Sequence, residues 1–305
     1  MTSFTSFLTA KRTIEDRAIN RVVWDRFVDA LADSTVADHP IDEPVRIVEI
    51  GVGTGSMLAR LVEWNALPPK VSYRAIDIDS ETLAVARRRL PEKLRDAGYS
   101  VETTDSGFEA TRAESNTPTQ TLAVTFETGD GFEQTDKADA VIASAVLDLV
   151  DLPEAVDQLQ NLLVDDGVLY APFTFNGHTS FQPAAPADET IERLYHRHMD
   201  EIRDQPGSSR AGQQLLTALP VAGYTVLDAG GADWIIRPRD GTYPYDESTV
   251  LSFLLSTIDT ALADYPEETL SVEQRRQWIE TRYEQLDDGA LTLVAHHMDV
   301  LARLG

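Results

Sequence analysis

Apolar and polar positions switch between two periods along the chain, and the switches lay out an order of elements. Ile14, Ala18, Val22, Trp24, Phe27, Val28 and Leu31 recur at helical spacing, and Thr13 with Asp16 three residues on reads as a helix start. An amphipathic helix is therefore predicted from residue 13, followed by a polar linker to residue 44 that holds Pro40 and Pro44. Val45 to Ile50 is apolar apart from Arg46 and Glu49, the pattern of a buried strand, and Ser56 to Ala66 returns to helix. The cycle then repeats with strand 71–76, helix 80–97 bent at Pro91, strand 121–127, strand 138–144, helix 153–164 and an apolar strand at 167–175. Strands parted by helices predict a mainly parallel sheet covered on both faces.

Two stretches break this rhythm. Between residues 99 and 120, alternating Ser100 to Thr104 and Gly107 to Ala113 predict an added β-hairpin. From Asn176 the pattern predicts helices at 190–204 and 209–219, a strand from Tyr224, helices at 248–263 and 272–287, and a last strand at 290–297. No repeat or low-complexity tract appears, so the 305 residues read as a single domain. Its parts are an N-terminal helix and linker (13–44), a core (45–175) carrying the hairpin insertion (99–120), and cap helices with the final strands (176–305).

Composition narrows the class. An apolar fraction of 42% supports a real core, and no run of about 18 apolar residues is present to cross a membrane. The first twelve residues lack the basic start and long apolar middle of a secretion signal, so a cytoplasmic protein without membrane attachment is expected. The absence of cysteine removes disulfides, thiolate metal sites and cysteine nucleophiles together. Twenty-six basic against 51 acidic residues give a net charge of −25, spread along the whole chain, with 22 Arg to only 4 Lys. Such scattered acidity is that of halophile proteins, whose charged surface keeps them soluble where salt screens the repulsion, and it disfavours nucleic acid as a partner.

Ile47-Val48-Glu49-Ile50-Gly51-Val52-Gly53-Thr54-Gly55 lies where a strand turns into a helix. Glycines there permit a tight turn and close approach of the backbone to a ligand, while the helix start offers free N–H groups to an anionic group. The dinucleotide fingerprint requires its third glycine three residues after the second; here it follows after two, which weighs against a nicotinamide-dependent oxidoreductase.

The acid inside the strand followed by G-x-G-x-G resembles motif I of class I S-adenosylmethionine-dependent methyltransferases. The resemblance runs from about Val45 to Phe175 and implies a Rossmann-like, doubly wound α/β fold with a seven-stranded, mostly parallel sheet. It implies S-adenosyl-L-methionine as cofactor, with Glu49, Gly51, Gly53, Thr54 and Gly55 in the loop beside it. Asp77, ending the second strand, stands at the place of the acid that accepts both ribose hydroxyls, with Ile78 next to it. Asp130 and Gly131 in Thr128-Gly129-Asp130-Gly131 stand where the family places its adenine contact, and Ser144 at the exit of the fourth strand. A methyltransferase-like protein that binds the cofactor without transferring its methyl is the non-enzymatic alternative.

The acceptor side is less marked. Methylases of exocyclic amines on bases or of glutamine amides resemble one another in an Asn-Pro-Pro-Tyr motif after the fourth strand, where this chain reads Ser144-Ala145-Val146-Leu147-Asp148; a small-molecule acceptor, methylated on oxygen or nitrogen, is the expectation left. Asp148 and His178 are the candidate catalytic residues, placed after the fourth and fifth strands. Tyr195 and His198 share the inner face of the 190–204 helix as candidate pocket residues, and Arg17 and Asn20 on the first helix are candidates to reach over the site. His196 points away from His198, and His296 and His297 face opposite sides of a strand, so no metal site is expected.

Overall fold

The computed structural model describes residues 3–33, 43–113 and 119–305. In chain order it contains helices α1 (Phe4–Ala10), α2 (Arg12–Ala18) and α3 (Arg21–Asp33), strand β1 (Val45–Ile50), α4 (Ser56–Glu63), β2 (Lys70–Asp77) and α5 (Ser80–Asp96). The hairpin strands β3 (Ser100–Thr103) and β4 (Gly107–Arg112) lead to β5 (Gln120–Thr128), β6 (Ala138–Ala143), α6 (Leu152–Leu162) and β7 (Leu163–Gln182). The C-terminal part holds α7 (Asp188–Arg197), α8 (Ala211–Val221), β8 (Tyr224–Gly231), β9 (Trp234–Ile236), α9 (Glu247–Leu262), α10 (Val272–Asp287) and β10 (Thr292–Leu304).

Seven strands run in the order β5-β2-β1-β6-β7-β10-β8, parallel except for β10, which is antiparallel to both β7 and β8. The hairpin extends the β5 edge through an antiparallel β4, and β9 pairs with the first half of β10. Strand order reverses between β1 and β6, so a crevice opens at their carboxyl ends, where doubly wound sheets bind ligands. The expected α/β fold and inserted hairpin are present, and the last strand runs antiparallel to its neighbours. The sheet exceeds seven strands because the hairpin and β9 join its edges.

Helices α3, α4 and α5 bury their apolar stripes on one face of the sheet, with Phe27, Leu58, Leu61 and Leu90 among them. On the other face, α6 and α8 bury Val156, Leu159, Leu215 and Leu219. A third core, around Phe7, Trp234, Trp278 and Leu255, packs α1, α9 and α10 on the far ends of β7 and β10. This is the helical cap.

Several boundaries differ from the sequence expectation, each for a local reason. The chain does not begin helix at Thr13: Ser3 caps α1, its side chain accepting the Ser6 N–H, and Thr13 lies inside α2. A break at Ile19 and Asn20 then splits the expected first helix, with the Asn20 side chain accepting the Val22 and Val23 N–H groups at the start of α3. Strand β7 continues past Phe175 to Gln182, and β10 runs to Leu304, because each supplies the other's ladder partners. The 190–204 helix ends as α7 at Arg197 and passes into a single wide turn over His198–Ile202. Three-residue β9 went unpredicted, its signal being too short to register. Linker residues 34–42 and the hairpin-to-β5 connection 114–118 lie outside the described residues.

Candidate active site

The loop leaving β1 is built on positive backbone angles that L side chains avoid. Gly51 has φ +73°, and a Cβ there would lie 2.3 Å from Val146 Cγ1; Gly53 has φ +53°, and its Cβ position is 3.2 Å from Leu8. The Gly51 N–H donates to the Ile76 carbonyl at 2.9 Å and the Gly53 N–H donates to Asp77 Oδ2 at 2.6 Å, tying the loop to the end of β2. Asp77 Oδ1 accepts the Asp79 N–H at 2.9 Å. Each carboxylate oxygen has two acceptor sites, so one on each is left for a vicinal diol. Burial raises the Asp77 pKa, opposed by the N–H groups of Asp79 and Gly53.

The residues around this loop have the chemistry that a nucleoside requires. Ile78 is 78% exposed, unusual for a side chain whose neighbours in β2 are buried, and it stands ready to cover an apolar ring. Asp130 uses Oδ1 to accept the Phe132 N–H at 2.8 Å, and Oδ2 has no partner among the described residues. Gly131 packs so close to Ile50 that a Cβ would fall 2.7 Å from it. Thr54 is buried with its hydroxyl unpartnered, while Ser144 sits half-buried at the exit of β6. Glu49 differs from the others: it is fully buried beneath the loop and accepts the Tyr73 hydroxyl at 2.5 Å, and burial lifts its pKa to about 8 against the nearby Arg60 charge. These residues fit an adenosine group, and S-adenosylmethionine would be held by Asp77, Asp130 and the glycine backbone.

Beside the loop lies a cavity of about 1100 Å³. Leu8, which covers Gly53, and Ala145, two residues past the end of β6, belong to its wall, as do Asp148, Phe173 and Phe175. The Asp148 carboxylate is buried and accepts the Phe175 N–H; burial raises its pKa, while Arg203 and Lys11 pull it down. Tyr195 stands close enough that the Asp148 charge, after burial, pushes its pKa up to about 12. His198 Nε2 lies 2.8 Å from Asp264 Oδ2, joining the turn after α7 to the end of α9 on the cavity wall.

The structure therefore gathers Asp148, Tyr195 and His198 around one cavity and leaves three candidates elsewhere. His178 is half-exposed, its Nδ1 2.9 Å from Glu192 Oε1, and takes no part in the lining. Arg17 donates to the fully buried Glu247 at 2.6 Å, and the Asn20 amide donates to Gly231 at 3.1 Å; both knit the N-terminal helices to β8, β9 and α9. The reason is common to the two. The break before α3 turns their face toward these strands.

Sequence reading missed the contribution of Phe4, Phe7, Leu8 and Lys11, because a twelve-residue segment without strong periodicity gave no helix to place them on. It also missed His297, which lines the cavity, stacks on Trp234 at 4.6 Å between centroids and has its pKa lowered to about 4 by burial. Its inward face was legible from strand alternation, but its register with Phe175 was not. Among the described residues no cluster of three His, Asp or Glu side chains forms a metal site.

Residues 48–169 match the family model described as "Methyltransferase domain". The glycine loop, Asp77, Asp130 and the β6 exit all lie within that segment, so this part of the chain carries a methyltransferase domain. A comparison with curated protein sequences finds no match. Among solved structures, the BH2331 protein of Bacillus halodurans C-125 aligns with TM-score 0.48 and 10% identity over 90% of this chain and 97% of its own. The YcgJ protein of Bacillus subtilis aligns with TM-score 0.46 and 14% identity over 93% and 99%. A Galdieria sulphuraria protein described as a sarcosine dimethylglycine methyltransferase aligns with TM-score 0.41 and 14% identity over 91% and 85%.

Proposed function

We propose that the protein transfers the methyl group of S-adenosylmethionine to an oxygen or nitrogen of a small-molecule acceptor held in the cavity. The observation that carries this reading is the shared wall: Leu8 covers Gly53, Ala145 directly precedes Val146, which touches the Gly51 position, and both Leu8 and Ala145 line the cavity. The sulfonium supplies an already activated methyl, so the protein must position the acceptor, exclude water and, for a neutral acceptor, take one proton.

Asp77 is the ribose acid, Ile78 and Asp130 with Gly131 frame the adenine, and Gly51, Gly53, Thr54, Gly55 and Ser144 enclose the methionine end. Glu49 positions the loop from beneath through Tyr73. Asp148 is the base: its carboxylate is held at the cavity wall, and burial raises its proton affinity toward that of an acceptor group. Tyr195 and His198 shape the acceptor side. His178, Arg17 and Asn20 are support residues in this scheme.

Calorimetry with S-adenosylmethionine and S-adenosylhomocysteine, in high salt, tests the cofactor half. Micromolar binding that weakens at least tenfold in Asp77→Ala supports the assignment; a folded protein that binds neither contradicts it. Asp148→Asn should then lower the rate of S-adenosylhomocysteine formation by about a hundredfold, the ordinary scale of a lost general base, while leaving cofactor binding in place.

A further inference from the structure

The cavity is far larger and less polar than a small hydrophilic acceptor requires. Pockets for drug-sized ligands span roughly 300–1000 Å³, and this one reaches about 1100 Å³ beside the cofactor loop. A glycine-sized acceptor would leave most of its apolar wall in contact with water.

The wall is aromatic in two patches. Phe7 and Phe253 stack at 4.2 Å with an 18° interplanar angle, and Phe4 joins them at 6.0 Å from Phe253. Trp234 stacks on His297, and Phe175 meets the same imidazole edge-on at 5.4 Å. Lys11 Nζ lies 6.0 Å from the Phe7 ring centroid and 5.6 Å from that of Trp234, so the two patches adjoin beside its side chain, and their rings favour a flat ligand, since offset and edge-to-face contacts add to plain burial.

Most polar groups along the wall are already committed. Lys11 Nζ is paired with Glu15 at 2.8 Å, the Arg203 guanidinium donates to the carbonyls of Asp148, Gln205 and Pro206, and His198 is held by Asp264. Thr257 and Thr260 donate to carbonyls of their own helix. The Tyr195 hydroxyl has no hydrogen-bond partner among the described residues, and Asp148, whose charge acts on it, lies three residues beyond Ala145 at the β6 exit. The Tyr195 donor and the Asp148 acceptor thus face the cavity near the β6 exit, and the indole N–H of Trp234 is a further unpartnered donor on the wall. The Tyr195–Asp148 pair matches a hydroxyl group, which donates to the carboxylate and accepts from the phenol.

We infer that the acceptor is a large, flat, apolar alcohol of the phenol type, its ring system lying against the Phe7–Phe253 and Trp234–His297 patches and its hydroxyl on Asp148 and Tyr195; this rests on the methyl-transfer reading for the word acceptor, but not for the binding itself.

The test is calorimetric titration of the full chain, with S-adenosylhomocysteine present, using 17β-estradiol, 1-naphthol, naphthalene and glycine as probes, each repeated in Tyr195→Phe and Ser252→Trp. Expected are micromolar binding of estradiol, weaker binding of naphthol, and none of glycine. Tyr195→Phe should weaken the two phenols three- to tenfold and leave naphthalene unchanged, the scale of about one hydrogen bond. Ser252→Trp, which fills the cavity from α9, should abolish estradiol binding while S-adenosylhomocysteine still binds and so reports a folded protein. Glycine binding in place of the phenols, absence of phenol binding to cofactor-loaded protein, or phenol binding that neither variant changes would each overturn the inference. Phenol binding without cofactor binding would leave the ligand class standing and overturn the methyl-transfer reading.

Discussion

Glu49 carries an unusual burden for one side chain. It is a carboxyl placed in the apolar core between β1 and α4, and the fold holds it in its protonated form, with a pKa near 8 against an ordinary 4.5. Because the folded value lies above the unfolded one, its contribution to stability is complete below about pH 4.5 and is lost as pH rises through 8. His297 acts in the opposite sense. Its folded pKa is depressed to about 4 by burial, so its contribution is present above the ordinary 6.5 and is lost as pH falls through 4. Urea unfolding at several pH values should show wild type losing stability between pH 5 and 8.5 relative to Glu49→Gln, which still accepts the Tyr73 hydroxyl; parallel curves would refute the assignment. At Gly51 the strain is conformational. A residue with φ +73° pays about 1–2 kcal/mol once it has a Cβ, and Val146 stands in its way, so Gly51→Ala should weaken cofactor binding in calorimetry. Adding Val146→Ala should recover the part due to the clash. Both residues were visible in the sequence as motif positions, whereas the burial of Glu49 and the Val146 contact arise only when β6 is laid beside β1.

Among the elements, α2 and α4 are joined by a buried charge rather than by apolar contact. The Arg60 side chain is fully enclosed, with Nε donating to Asp16 at 2.7 Å and a second nitrogen donating to Glu15 at 3.3 Å, so the helix that follows the glycine loop also holds the N-terminal helices in place. Without Arg60, Glu15 keeps Lys11 at 2.8 Å and Asp16 keeps Arg12 at 3.7 Å, so what is lost is the pair of charge-assisted hydrogen bonds. Arg60→Ala should therefore lower stability by about 1.5–3 kcal/mol in urea unfolding. Hydrogen exchange should quicken in residues 4–18 more than in the central strands. Equal acceleration everywhere would argue that Arg60 supports the sheet instead. The same anchoring explains why α1 reaches the cavity at all: its seven residues are too few to be stable alone, and packing of Phe7 on Phe253 supplies what helix propensity does not.

At the scale of the whole molecule, a net charge of −25 on 305 residues opposes compaction at low ionic strength. Raising salt from 0.1 M toward 1 M shortens the Debye length from about 10 Å to about 3 Å, so the midpoint of thermal unfolding should climb between 0.1 M and 2 M KCl. A midpoint that falls over that range would show the surface is not limited by self-repulsion. Hydrophobic period determined by itself the α/β class and the order of elements along the chain up to β7, and the motif resemblance marked the cofactor loop, because those features are local: a turn, a helix start and a strand end written within about thirty residues. Only the tertiary structure decided the cavity beside that loop. Its wall comes from α1, the turn after α7, β9, α9 and the far half of β10, segments up to nearly the whole chain apart, and which of their side chains meet is set by packing and strand register that no local pattern records.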